Sequence, residues 1–213
     1  MFIGLFGLPG AGKGTQAVRL ASHLGIPHIS TGDMFRDMQQ GDGPLAREIK
    51  AILASGQLVP DEMVTKLAFE RLSQSDCHQG FILDGFPRTK PQAEALQSSP
   101  YALNLLISLD VDPEEIIKRL SERRVCSLCG SIFALSSLGN SNVCPKDGAR
   151  VTQRADDSKE AITTRLAIFE KNLQPVMDFF AQRGLVCHVN GMGEADIVFS
   201  RLVAAVCNVG EGC

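Results

Sequence analysis

Short apolar runs alternate with stripes at helical spacing along most of this chain. Phe2 to Phe6 is an apolar run that stops at a glycine turn, as a buried strand does. Phe81 to Leu83, Leu103 to Leu109 and Leu185 to Val189 repeat the pattern. Ala17, Leu20, Ala21 and Leu24 predict a helix opening near Lys13, which Gly25 and Pro27 end. Asp112, Pro113, Glu114 and Glu115 mark a second helix start, by capping, fixed φ and dipole in turn. That helix is expected to carry Arg119 and Arg123 on one face. A longer helix starts near Ser158, with Ile162, Leu166, Phe169, Leu173, Val176 and Phe180 as its core stripe and Pro175 expected to bend it. The alternation predicts an α/β fold: a parallel sheet covered by helices on both faces, with ligands at the carboxyl ends of its strands.

Two stretches break the alternation. Residues 30–59 read as helical around the turn Gly41-Asp42-Gly43-Pro44 and lack a strand of their own. Residues 124–157 carry weak helix signals and are rich in Gly, Ser, Asn and Cys. Both read as insertions on the core. The tail Asn208 to Cys213 is expected to fray.

Composition narrows the options. Among 213 residues, 44% are hydrophobic and 21% charged, ordinary values for one globular domain with small added lobes. The net charge of −3 gives no general basic character for nucleic acid, so any anion site must come from local Arg and Lys. No apolar run suits a secretion signal or a bilayer span, so a cytoplasmic protein off the membrane is expected. Cys77, Cys187, Cys207 and Cys213 are scattered and read as reduced thiols.

Gly7-Leu8-Pro9-Gly10-Ala11-Gly12-Lys13 lies between a predicted strand and a predicted helix, the setting of a phosphate-binding P-loop. Glycines let phosphate oxygens approach the backbone N–H groups, the helix start adds its dipole, and Lys13 adds a mobile charge. The strict motif has Ser or Thr after the lysine. Here Gly14 intervenes, and Thr15 follows. Asp84-Gly85-Phe86-Pro87-Arg88 ends a predicted strand. Asp84 suits the water shell of Mg²⁺, with a plain turn or cap role as the alternative. Arg36, Arg119, Arg123, Arg154 and Arg165 flank the two insertions. Closed over the loop, they would converge on a polyanionic substrate pair. A phosphate acceptor is already ionised, so no general base is required.

Cys126-x2-Cys129, fourteen residues, then Cys144-Pro145-Lys146-Asp147 has zinc-ribbon spacing with a carboxylate in the fourth place. Reduced, unmetallated thiols are the alternative. With four ligands filled, the zinc would stabilise a lobe that has little core. Gly130 to Val143 holds no Lys or Arg, which argues against a nucleic-acid ribbon.

Gly7 to Thr15, Asp84 to Arg88 and Arg154-Ala155-Asp156-Asp157 together resemble the adenylate kinase family, in its long form with a zinc-bearing lid. The likeness covers essentially the whole chain. It implies a core of residues 1–29, 60–121 and 160–213, an AMP-binding lobe of residues 30–59 and a lid of residues 122–159. It implies Mg²⁺-dependent phosphoryl transfer between ATP and AMP giving ADP, by a monomer without nucleic acid or membrane. Gly10, Ala11, Gly12, Lys13, Gly14 and Thr15 would hold ATP phosphates, and Arg119, Arg123, Ile132, Phe133 and Gly193 the rest of ATP. Thr31, Arg36, Gln57, Leu58, Val59, Gly85, Phe86, Pro87, Arg88 and Gln92 would hold AMP. Arg154 and Arg165 would clamp phosphates of both. Lys13, Asp84, Arg88, Arg123, Arg154 and Arg165 would form the catalytic group. Zinc would sit on Cys126, Cys129, Cys144 and Asp147. The cysteine pairs are spaced slightly closer than is usual in zinc-bearing relatives, and Asp147 replaces a fourth Cys, a variant the family shows. A kinase for another nucleoside monophosphate is the nearest rival; a P-loop switch or regulatory ATPase with a zinc module is a more distant one.

Overall fold

Side chains of the central strands point alternately to two faces, and each face meets its own helical layer. A computed structural model describes residues 1–139 and 141–210. Five parallel strands form the main sheet in the order β2 (His28–Ser30), β3 (Phe81–Asp84), β1 (Phe2–Phe6), β4 (Leu105–Asp110), β8 (Val186–Asn190). Ile3, Leu5, Ile82, Leu105, Ile107 and Leu109 pack against α1 (Lys13–Leu24), α6 (Pro113–Glu122) and α8 (Ala195–Gly210). Phe6, Phe81, Leu83 and Leu106 face the other way, onto α4 (Asp61–Leu72), α5 (Lys90–Gln97) and α7 (Lys159–Ala181). Both faces are buried, which is why the strands read as unbroken apolar runs.

The expected strands are present, and β2 is one more. It spans only three residues after Pro27, too short to show a period, and pairs with β3 through Ile29 and Leu83. Residues after it form α2 (Thr31–Met38) and α3 (Pro44–Ala54), as the helical reading expects. Ser30 caps α2 by accepting from the Asp33 N–H. Gly56, with φ of +74°, brings the chain back against α7. A Cβ there would lie 2.6 Å from the Ala161 carbonyl oxygen.

The cysteine-rich stretch holds a small antiparallel sheet of β6 (Ile132–Ala134), β5 (Arg123–Cys126) and β7 (Val151–Thr152). Its core is Cys126, Cys144 and Val151, with Phe133, Leu138 and Ala149 packed around them.

The long helix starts beside Ser158 as expected; the Ser158 hydroxyl caps α7 by accepting from the Ala161 N–H, and the helix runs unbroken through Pro175. Two local expectations differ. Asp112 occupies the cap position of α6, yet its side chain makes no capping hydrogen bond. Helix α6 stops at Glu122, so Arg123 lies in extended backbone and does not continue a helical face from Arg119. At the C-terminus α8 continues through Gly210, and the rest of the tail expected to fray lies outside the described residues.

Candidate active site

The chain reverses direction across the sheet at β1: β2 and β3 lie on one side, β4 and β8 on the other. Such a switch point opens a crevice at the carboxyl strand ends. The loop Gly7 to Gly12 fills that place and leads into α1. Gly7 adopts φ of +136°, and a Cβ would meet the Leu109 carbonyl oxygen at 2.7 Å, so no other residue fits there. No side chain caps the N-terminus of α1, which leaves its first N–H groups for an anion.

Lys13 leans over this loop. Its ammonium donates to the Gly7 carbonyl at 2.8 Å and the Leu8 carbonyl at 2.9 Å. Burial pushes its pKa down to about 8, and Arg88, Arg165 and Arg123 push the same way against Asp84. Lys13 keeps some surface open to the cleft.

Strand register places Asp84 opposite Leu5, beside the loop. Its carboxylate lies 3.8 Å from His28 Nε2 and 3.4 Å from where a Cβ on Gly14 would stand. Burial favours the neutral acid, but His28, Lys13 and Arg88 outweigh it and hold Asp84 below the usual carboxylate range. The turn that follows is held by side chains. Thr31 Oγ1 donates to the Gly85 carbonyl at 2.9 Å, as does Arg88 Nε at 2.7 Å, and the Arg88 N–H donates to Gln92 Oε1 at 2.7 Å. Phe86 is buried in the core and the Phe86–Pro87 peptide is cis.

Arg36 from α2, Arg88 from the turn, Arg119 from α6, Arg123 from β5, Arg154 from the segment after β7 and Arg165 from α7 all line one cleft of about 1140 Å³. Burial, then repulsion from Arg36 and Arg123, pushes Arg154 down to about 10. Burial, then Arg165, pushes Arg88 down as well, although Arg88 keeps surface open to the cleft. Cations held this close repel one another, and a polyanion between them would relieve that. Gly10 to Thr15, Gln57, Leu58, Gly85, Pro87, Ile132, Phe133 and Gly193 line the same cleft. Thr31, Val59, Phe86 and Gln92 do not; all are buried behind its wall.

The sequence reading did not pair the arginines with several carboxylates that hold them in place. Asp157 is fully buried and grips Arg123 at both carboxylate oxygens, one contact being Nε to Oδ2 at 2.7 Å. Arg165 pairs with Asp156 at 2.9 Å and reaches Asp157 at 3.4 Å. Arg119 pairs with Glu115 at 2.7 Å and donates to the Gly191 carbonyl. The Asp156-Asp157 doublet beside Arg154 was the available signal. For Glu115, spaced four residues from Arg119, the signal was helical pairing.

The donor atoms of Cys126, Cys129, Cys144 and Asp147 all lie within 4.8 Å of one another. A tetrahedral zinc with Zn–S of about 2.3 Å sets S···S edges of about 3.8 Å. Cys129 Sγ and Cys144 Sγ are 3.8 Å apart. Cys126 Sγ lies 3.3 and 3.4 Å from the Asp147 oxygens, close to the about 3.5 Å of a mixed S···O edge. The Leu128 and Cys129 N–H groups point at Cys126 Sγ, at 3.3 and 3.5 Å, as in a metal knuckle. The donor set and its spacing therefore fit zinc. No helix among the described residues is long and apolar enough to cross a membrane.

A P-loop at the switch point of a parallel sheet, faced by arginines from both insertions, defines a P-loop protein built to bind nucleotide phosphates. The chain belongs to the adenylate kinase family, whose family model, described as "Adenylate kinase", matches residues 5–185. It is 44% identical over 202 residues to an adenylate kinase of Bacillus subtilis, covering 92% of this chain and 93% of that one. An adenylate kinase of Thermodesulfovibrio yellowstonii is 43% identical over 204 residues, covering 93% and 95%. One of Lysinibacillus sphaericus is 42% identical over 210 residues, covering 96% and 97%.

Proposed function

We infer that this chain is an ATP:AMP phosphotransferase and that its cleft holds two nucleotides end to end. The observation that carries this reading is the arginine distribution. One P-loop needs few cations, but this cleft draws them from both insertions and from three core helices or turns.

In this reading Gly10 to Thr15 and Lys13 hold the ATP phosphates, and Arg119, Arg123, Ile132, Phe133 and Gly193 hold the rest of ATP. Residues 30–59 form the acceptor lobe. Arg36 and Arg88 grip the AMP phosphate, while Thr31, Gln57, Leu58, Val59, Gly85, Phe86, Pro87 and Gln92 form the acceptor pocket and its backing. Arg154 and Arg165 sit between the two phosphate groups. The bond from the γ-phosphorus to its bridging oxygen breaks as an AMP phosphate oxygen bonds to that phosphorus. The attacking oxygen carries no proton, so no base is needed; alignment and charge compensation supply the catalysis. The ionised Asp84 and the exposed Thr15 hydroxyl are oxygen donors suited to Mg²⁺ and its waters, and that ion would neutralise charge on the β- and γ-phosphates. Residues 122–159 act as a lid that keeps water from the γ-phosphate. Its zinc is structural, since the four donors leave no open position.

An acceptor panel of AMP, GMP, CMP and UMP with Mg-ATP tests this. Fastest turnover is expected on AMP. Faster turnover on another acceptor, or ATP hydrolysis unaffected by any acceptor, would sink it.

A further inference from the structure

Asp61, the first residue of α4, makes two hydrogen bonds into the segment after β3. Its Oδ1 accepts from Gln92 Nε2 at 2.7 Å, and its Oδ2 accepts from Thr89 Oγ1 at 2.8 Å. Gln92 Oε1 accepts from the Arg88 backbone N–H at 2.7 Å. Gln92 is 1% exposed. It adds no surface to the cleft, but its amide lies against the backbone of Arg88, which does.

This arrangement leaves the amide one orientation. A carboxylate only accepts, and a backbone N–H only donates. Turning the amide over would set Oε1 against the Asp61 carboxylate and the NH₂ against the Arg88 N–H. Two contacts would become repulsive in a buried place. Each amide atom retains one free valence, a second N–H on Nε2 and a second lone pair on Oε1. Side by side, these match the N1 acceptor and N6 donor of adenine. A 6-oxopurine shows the reverse, an N1–H donor and an O6 acceptor. A freely turning amide would suit either ring.

We propose that Asp61 is a positioning residue that locks the Gln92 amide and so makes the acceptor site select a 6-aminopurine over a 6-oxopurine. The proposal rests on the reading above, in which Gln92 belongs to the acceptor pocket and its backing, and adds that its amide, buried behind the cleft wall here, meets the acceptor base when AMP is bound. Asp61 touches neither nucleotide.

The test compares kcat/KM for AMP and for inosine monophosphate in the native protein, D61N and Q92A. Inosine monophosphate differs from AMP only at N1 and position 6. Asn at 61 keeps the shape but can also donate, so it removes one of the two contacts that bar the turned amide and leaves only the Arg88 N–H against it. D61N is expected to narrow the AMP-to-inosine-monophosphate ratio about tenfold or more while the KM for ATP stays unchanged. Should D61N fold poorly, D61A assayed below its own melting temperature is expected to narrow the ratio in the same direction. An unchanged ratio in the Asp61 variants beside a changed ratio in Q92A overturns the lock. A ratio unchanged in Q92A as well overturns the reading that Gln92 meets the base, and the lock with it.

Discussion

Arg123 and Asp157 join the two chain segments that enter and leave the small cysteine-bearing sheet, through a two-point ion pair whose carboxylate has no exposed surface. Arg123 opens β5, and Asp157 closes a short 3₁₀ helix just before α7. Each partner lies 34 residues from the other along the chain, so the pair closes the base of the whole insertion. Removing one partner leaves a buried charge without compensation, at a cost of about 3–5 kcal/mol. Asp157→Ala is expected to lose about that much in denaturant unfolding and to raise the KM for ATP. Asp157→Asn, which keeps the side-chain volume and one acceptor for Arg123, is expected to lose less.

Lys13 is held against its own charge. Burial lowers its pKa from 10.5 to about 8. Between those values the unfolded chain binds the extra proton, so stability contributed at this site rises as pH goes from about 8 to 10.5. Below 8 the charge is a penalty of about 1–2 kcal/mol, softened by the contact Lys13 keeps with cleft solvent. Lys13→Met is therefore expected to melt higher than the native protein at pH 7, with the gap closing toward pH 10.5. The same variant is expected to lose most turnover. Melting curves across that range, beside activity at pH 7, check both halves.

Gly56 returns the helical insertion of residues 30–59 to the core. It combines a positive φ with a Cβ position 2.6 Å from a backbone oxygen of α7 and 3.0 Å from Arg165 Cγ. The backbone cannot yield as a flexible side chain would. Gly56→Ala is expected to destabilise by about 1–3 kcal/mol and to displace Arg165, lowering turnover as well as melting temperature. Gly43, with no atom within 4 Å of its Cβ position and a φ of −73°, is the control expected to tolerate alanine.

Among the described residues, the cysteine-bearing sheet has three buried residues in its core, two of them cysteines of the candidate metal site. With so small a core, a metal on the four donors would supply most of what holds it together. Chelation is expected to lower the melting temperature before it changes turnover at low temperature. Asp147→Cys is expected to tighten zinc retention, and Asp147→Ala to release it. Metal content by elemental analysis alongside melting curves decides this.

The legible parts of the sequence were those where one local rule acts alone. The unbroken apolar runs at Phe2 to Phe6 and Phe81 to Leu83 are buried on both faces, so they announced central strands. The glycine spacing of the loop and the Cys126-x2-Cys129 knuckle are local geometry written directly in the chain. Strand β2 was hidden because three residues show no period, and its partner Leu83 lies far along the chain. Arg123 looked helical because its spacing from Arg119 continues the α6 face; pairing with β6 and the grip of Asp157 override that. Asp61 and His28 gave no signal of their own, because their importance comes from partners brought near only by folding; the Asp156-Asp157 doublet was visible, but not which arginines it would hold.

The central claim is that one arginine-lined cleft takes two nucleotides at once. A calorimetric titration with two adenosines joined by five phosphates tests it most directly. One molecule is expected to bind per chain and to displace both ATP and AMP. Displacement of ATP alone, with AMP binding untouched, would contradict the account.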